Sequence, residues 1–227
     1  MDQLQLMLTT SPEGLGMKTW VVGFVGMVLA LTLVSPAVAE VPLAQSRSPQ
    51  NLVALFPSSF QLPPGMVLVE EGSRSASEIA ATFPDPVETA QQLATYGWAT
   101  NAYRTYVAGP GAGPTTPARL EISFHQFLTN TGAAYALPTF AHARAVMLGQ
   151  AEGPTALLRP CEAATSGSSD ATRYLRIGDL LVRVTVVMPG PPNQDTYYLA
   201  LGTSVDVVSA VLSNAGGSWQ GLDQTCR

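Results

Sequence analysis

One lysine stands in 227 residues, Lys18, and the chain holds only two cysteines and two histidines. Charged side chains make up 12% of it, and the net charge is −5. Past Lys18 every positive charge is an arginine, and no basic run occurs. An acidic chain without a basic cluster has no electrostatic footprint for nucleic acid or anionic lipid. There is no C-x-x-C redox pair, and His125 and His142 have no cysteine or acid at ligand spacing. No metal or other cofactor is therefore expected. The G-x-S-x-G elbow of α/β-hydrolases is missing. The Gly109–Pro117 segment is rich in glycine but lacks the Lys-Ser/Thr of a phosphate cradle, so it reads as a hairpin loop.

What is present begins with a leader. Met17-Lys18 opens an apolar run, Trp20–Val34, followed by Ser35-Pro36-Ala37-Val38-Ala39. A positive start, an apolar core of about 15 residues and an A-x-A site form a secretory signal cleaved after Ala39. Residues 1–16 carry two acids and no base, which places the expected true start at Met17. The run is short of the ~20 apolar residues of a spanning helix, so no membrane span is expected after cleavage. The expected organisation is a leader over 1–39, a Ser/Pro/Gln-rich linker over 40–61 and one domain over 62–227. The location is secreted or extracytoplasmic. An even pair of cysteines in an exported chain predicts a Cys161–Cys226 disulfide.

Within the domain the strongest pattern is Thr172–Met188. Gly178-Asp179 separates two β-rich runs and fits a two-residue hairpin turn. Side chains alternate along a strand, so Leu175, Ile177, Leu180, Val182, Val184, Val186 and Met188 share a core face. Tyr174, Arg176, Leu181, Arg183 and Thr185 take the other. Further strands are predicted at Met66–Val69, Asn101–Val107, Arg119–Leu128 and within Thr155–Ala163. In Arg119–Leu128, Leu120, Ile122 and Phe124 oppose Glu121, Ser123 and His125. Phe127 breaks that alternation and predicts a bulge or the strand end near Gln126.

Helices are predicted over Ser75–Phe83, from an Asp85 cap with Pro86 at the first position, over Thr131–Leu148, and from Asp195 to about Ser213. The Thr131–Leu148 stripe is Ala134, Leu137, Ala141, Ala145 and Leu148; the last helix should bury Tyr198, Leu201, Val205, Val208 and Leu212. The order of elements gives an α+β fold: a single antiparallel sheet with helices packed mainly on one face.

Leu62-Pro63-Pro64-Gly65-Met66, Phe83-Pro84-Asp85-Pro86, Gly97-Trp98, Asn101-Ala102-Tyr103-Arg104-Thr105-Tyr106, Gly132-Ala133-Ala134 with Ala136-Leu137-Pro138, and Leu175–Val184 resemble a group of exported α+β proteins of high-GC bacteria. The resemblance covers about Leu52–Leu212. More loosely, the layout is similar to PknH-type extracellular sensor domains and to Mog1/PsbP-like lipoprotein domains. It implies a ligand- or partner-binding module and brings no active-site residue. The chain departs from the sensors in having fewer cysteines, and from the lipoproteins in lacking a lipidation cysteine.

The candidate surface is the non-core face of the sheet. Tyr174, Arg176 and Arg183 lie on the hairpin, and Arg104 and His125 join them if the strands adjoin. Arginines, an aromatic ring and a histidine on an open face suit an anionic or carbohydrate-like ligand, or an envelope protein, bound by a monomer. A second reading is a small secreted hydrolase using His125 with Ser123 or a distant carboxylate. Residues two apart on a strand stand about 7 Å apart, which predicts no direct Ser123–His125 contact. A third reading, a structural accessory protein of the envelope, requires an exposed apolar patch containing Leu181.

Overall fold

A computed structural model describes residues 49–149, 156–159, 161–167 and 169–226, all within one unit, Val41–Arg227. The leader and its cleavage site lie outside these residues. Among the described residues no helix is long and apolar enough to cross a membrane.

The elements in chain order are α1 (Pro49–Val53), β1 (Met66–Gly72), α2 (Ala76–Ala80), α3 (Pro86–Thr95), β2 (Trp98–Ala108), β3 (Arg119–Phe127), α4 (Asn130–Met147), β4 (Ala156–Arg159), β5 (Glu162–Ser166), β6 (Asp170–Ile177), β7 (Leu180–Val187), α5 (Gln194–Asn214) and α6 (Trp219–Thr225). All seven strands form one antiparallel sheet in the order β1-β2-β3-β7-β6-β5-β4. Two meanders, β1–β3 and β4–β7, therefore meet along β3 and β7.

The β6–β7 hairpin has the expected register, with Ile177 opposite Leu180, Tyr174 opposite Arg183, and Gly178 at φ 63° in the turn. Only glycine adopts that conformation without steric cost. The sequence pattern predicts a single strand where β4 and β5 lie. The pair instead turns between Arg159 and Glu162 and pairs back on itself. Local capping is as the sequence indicates. Asp85 Oδ1 accepts from the Glu88 amide at 2.9 Å, and Ser75 and Glu78 bond reciprocally at the start of α2. The α5 cap is Asn193 rather than Asp195: its Oδ1 accepts from the Thr196 amide at 2.8 Å.

The class and the single antiparallel sheet are as the sequence predicts, and helices cover both faces. On one face Leu120, Ile122, Phe124, Leu175, Val182, Val184 and Val186 pack against Ala200, Val207, Val208, Val211 and Leu212 of α5. Leu52, Leu55 and Phe56, in and just after α1, complete that core. On the other face α4 lays Ala133, Ala136, Leu137, Phe140 and Ala141 over Phe127, Ala163, Tyr174 and Leu181, with Ile79 of α2 and Leu93 of α3 beside them.

This second core explains three departures from the periodic reading. Phe127 keeps the parity of His125 because that face is buried there; β3 has its end at Phe127, as one of the two expectations had it, and in place of a bulge in β3 the irregularity lies in β2 between Trp98 and Thr100. Leu181 is fully buried. The buried stripe of α5 is rotated about one residue, so Tyr198 and Val205 face outward.

Candidate functional site

Directly opposed residues of antiparallel strands share a face. On the α4 side this builds successive rows across the sheet. The innermost is Asn101–His125–Leu181–Arg176, beneath α4. Next come Tyr103–Ser123–Arg183–Tyr174, then Thr105–Glu121–Thr185–Thr172, then Val107–Arg119–Val187–Asp170. From the second to fourth rows Tyr103, Arg183, Tyr174, Glu121, Arg119 and their neighbours on β7 form the floor of a cleft of about 650 Å³, walled by α4 on one side and by the Ser73–Phe83 segment on the other. Phe83 meets Phe140 edge-on at 4.9 Å across the two walls. Phe140 in turn packs edge-on against His125, so the aromatic pair lies toward the innermost row. Arg119, at the opposite end, is half exposed.

Glu121 organises the cleft. Its Oε1 is bonded by Arg183 and lies 3.4 Å from Arg74 Nη1, and Oε2 accepts from Arg119 Nη2 at 3.2 Å. Burial alone would raise its pKa, but Arg183, Arg74 and Arg119 together outweigh that and hold the carboxyl below its usual value. Arg74 also lies 3.9 Å over the Tyr103 ring, and the Tyr103 hydroxyl donates to Glu70 at 2.7 Å. Arg144 on α4 donates to Asp170 at 2.9 Å and to Thr172 at 3.2 Å.

Beneath the floor runs a buried polar string. Asn101 accepts from the Arg74 amide and donates to Ser123 Oγ at 2.8 Å. Ser123 Oγ lies 3.2 Å from His125 Nε2. The two side chains lean together, so the strand rise does not keep them apart as predicted. Both residues are fully buried, and His125 Nδ1 has no partner where an orienting acid would stand. Burial, reinforced by Arg183 and Arg74, holds the His125 pKa well below its ordinary value. The pair is a sealed structural contact, with no path for a substrate to the hydroxyl.

The sequence-named residues divide. Tyr174 and Arg183 line the cleft together. Tyr174 is 2% exposed, burial pushes its phenol pKa up, and its hydroxyl makes no hydrogen bond among the described residues. His125 belongs to the string below. Arg176 shares the face but sits in the innermost row, half-buried, with its Nε unpartnered and its pKa lowered by burial. Arg104 is on the opposite face. It pairs across the sheet with Ile122, donates to Glu71 at 2.9 Å and covers the Phe56 ring. Parity places it there: Arg104 opposes an even-numbered residue of β3, whereas Glu121, Ser123 and His125 are odd.

Arg74 and Arg144 carried no sequence signal, because one lies in a loop and the other on a helix whose packing partner was not legible. Arg119 and Tyr103 could have been found by extending strand parity outward from His125. The third reading loses its patch with the burial of Leu181 beneath α4. Among the described residues no cluster of three or more His, Cys, Asp or Glu could hold a metal ion.

On the far face Cys161 and Cys226 are joined in a disulfide with Cα atoms 5.6 Å apart, tying α6 to the start of β5.

No family model matches the chain, and no curated protein matches it. Among solved structures it is weakly similar to the extracellular domain of PknH from Mycobacterium tuberculosis, with a TM-score of 0.46 and 12% identity, over 74% of this chain and 97% of that one.

Proposed function

We propose that the chain is an exported, non-enzymatic binding module whose ligand enters the cleft between the β2-β3-β7-β6 face and α4. The observation that carries this is the Tyr174–Arg183 pair on the cleft floor. A tyrosine 2% exposed leaves its hydroxyl without a protein partner while lining a cleft of about 650 Å³. Buried polar atoms are nearly always satisfied, and Arg183 Nε, buried beside Tyr174 in the same lining, is not, which points to a group supplied from outside. The volume falls within the range of small-molecule sites. The disulfide suits the oxidising side of a membrane, in keeping with cleavage of the leader after Ala39.

Thermal-shift screening of small charged and neutral compounds against the purified chain should yield ligands whose effect falls in Arg183→Ala and in Tyr174→Phe. Tyr174→Phe removes only an unbonded hydroxyl, so the free protein's melting temperature should not fall. A screen without hits, or hits indifferent to both substitutions, would refute the cleft as the site. Mass spectrometry of the exported protein should show Glu40 as the first residue; an N-terminus at Met1 or Met17 would refute export with cleavage.

A further inference from the structure

The geometry points to a small organic oxyanion as the ligand of this cleft: a carboxylate or phosphate group held by Arg74, Arg183 and the Tyr174 hydroxyl, with an apolar body lying toward Phe83 and Phe140. This rests on the binding reading above and names its ligand class.

Three guanidiniums converge on one carboxylate, so the Glu121 cluster carries a surplus of positive charge. Glu70, which accepts from the Tyr103 hydroxyl, and Glu78, which accepts from the Ser75 amide, also line the cleft and keep their charge, so four arginines face three glutamates and the surplus is centred on the Arg74, Arg119 and Arg183 group. Arg74, Arg119 and Arg183 each spend a single terminal nitrogen on Glu121. A guanidinium has five N–H donors in a planar fork, and its unspent donors match an oxyanion. Tyr174 stands directly opposite Arg183 across β6 and β7, which puts an unsatisfied O–H donor beside the cationic one. At the inner end the charge gives way to the Phe83–Phe140 pair. A ligand matching this gradient has an anionic end and an apolar end. The protein's own Glu121 occupies part of the same cationic field, so it competes with the ligand for it.

Isothermal titration of the purified chain at low salt, with benzoate, phenyl phosphate, benzamide and inorganic phosphate as probes, tests this. Benzoate or phenyl phosphate should bind at least tenfold more tightly than neutral benzamide, and more tightly than inorganic phosphate. Which of the two is preferred identifies the oxyanion. Tyr174→Phe should weaken the preferred acid several-fold without changing the free protein's melting temperature. Glu121→Gln should lower that temperature yet tighten acid binding, because it frees the guanidiniums. Benzamide binding as well as benzoate would overturn the oxyanion and leave the binding cleft standing. Inorganic phosphate matching phenyl phosphate would overturn the apolar body. Weaker acid binding in Glu121→Gln would overturn the shared cationic field. If none of the probes binds and the wider screen is also empty, both readings fall together.

Discussion

Ser123 and His125 touch through their side chains, Oγ to Nε2 at 3.2 Å, and neither reaches solvent. The pair has the composition of a nucleophile and its base without the access that catalysis needs. Asn101 already donates to the hydroxyl, and Phe140 lies edge-on against the imidazole. The Asn101–Ser123 bond, which crosses from β2 to β3, ties those two strands together beneath α4.

Burial of His125 has a consequence for acid stability. Its folded pKa is below the unfolded value, so on acidification the unfolded chain takes up a proton that the folded chain refuses. Stability is therefore greatest above about pH 6.5 and falls below it, by at most about 1.4 kcal/mol per pH unit for one proton. His125→Leu should flatten the denaturation profile between pH 6.5 and 5 while changing stability little at pH 7.5. An unchanged slope in that window would show that another group carries it.

Two glycines on helices should respond in opposite directions. A Cβ on Gly132, in the first turn of α4, would stand 1.9 Å from the Tyr96 carbonyl oxygen. Backbone cannot yield as a side-chain tip can, so Gly132→Ala should cost about 1–3 kcal/mol or more. A Cβ on Gly202, within α5, meets nothing within 4 Å. Gly202→Ala should stabilise by about 0.5–1 kcal/mol, the helix-propensity difference. Urea midpoints of both variants check this, and the same sign for both would contradict it.

The Cys161–Cys226 bridge spans 65 residues. On loop-closure entropy its removal should cost about 4 kcal/mol. The double replacement Cys161→Ser with Cys226→Ser, compared with the oxidised protein in guanidinium, measures the loss. Free thiols at both positions in a non-reducing peptide map would dispose of the bridge itself.

Much of the fold was legible because alternation and turn chemistry act locally. Gly178-Asp179, the Asp85-Pro86 helix start and the Leu120–Phe124 alternation each encode their element within a few residues. What was hidden depends on which face another element covers. Leu181 and Tyr174 are on a face that looks mixed in the sequence, and only the seating of α4 makes it a second core. Phe127 then ceases to be an exception. The site was half legible for the same reason. Parity put Arg183 with Tyr174 on one face of the hairpin and Glu121 with Ser123 on one face of β3, and the pairing of β3 with β7 makes these one surface. It could not supply Arg74 and Arg144, which arrive from a loop and a helix brought over that face by tertiary packing. Arg104 was misplaced because its register against β3 was unknown, and a shift of one residue moves every side chain to the other side.

The seam between β3 and β7 has a kinetic meaning. Apart from β1, which α2 and α3 separate from β2, each half is stitched from strands consecutive in the chain, and hairpins such as β6–β7 form in about 1–10 μs. The seam joins segments that the chain separates widely: Arg183 and Glu121, paired across it, are 62 residues apart in sequence. Closing so long a loop carries an entropy cost before any seam contact repays it. The two half-sheets can therefore take shape early, while the cationic cleft, whose floor straddles the seam, is assembled only when they zip together. Ligand competence should thus be among the last properties the folding chain acquires.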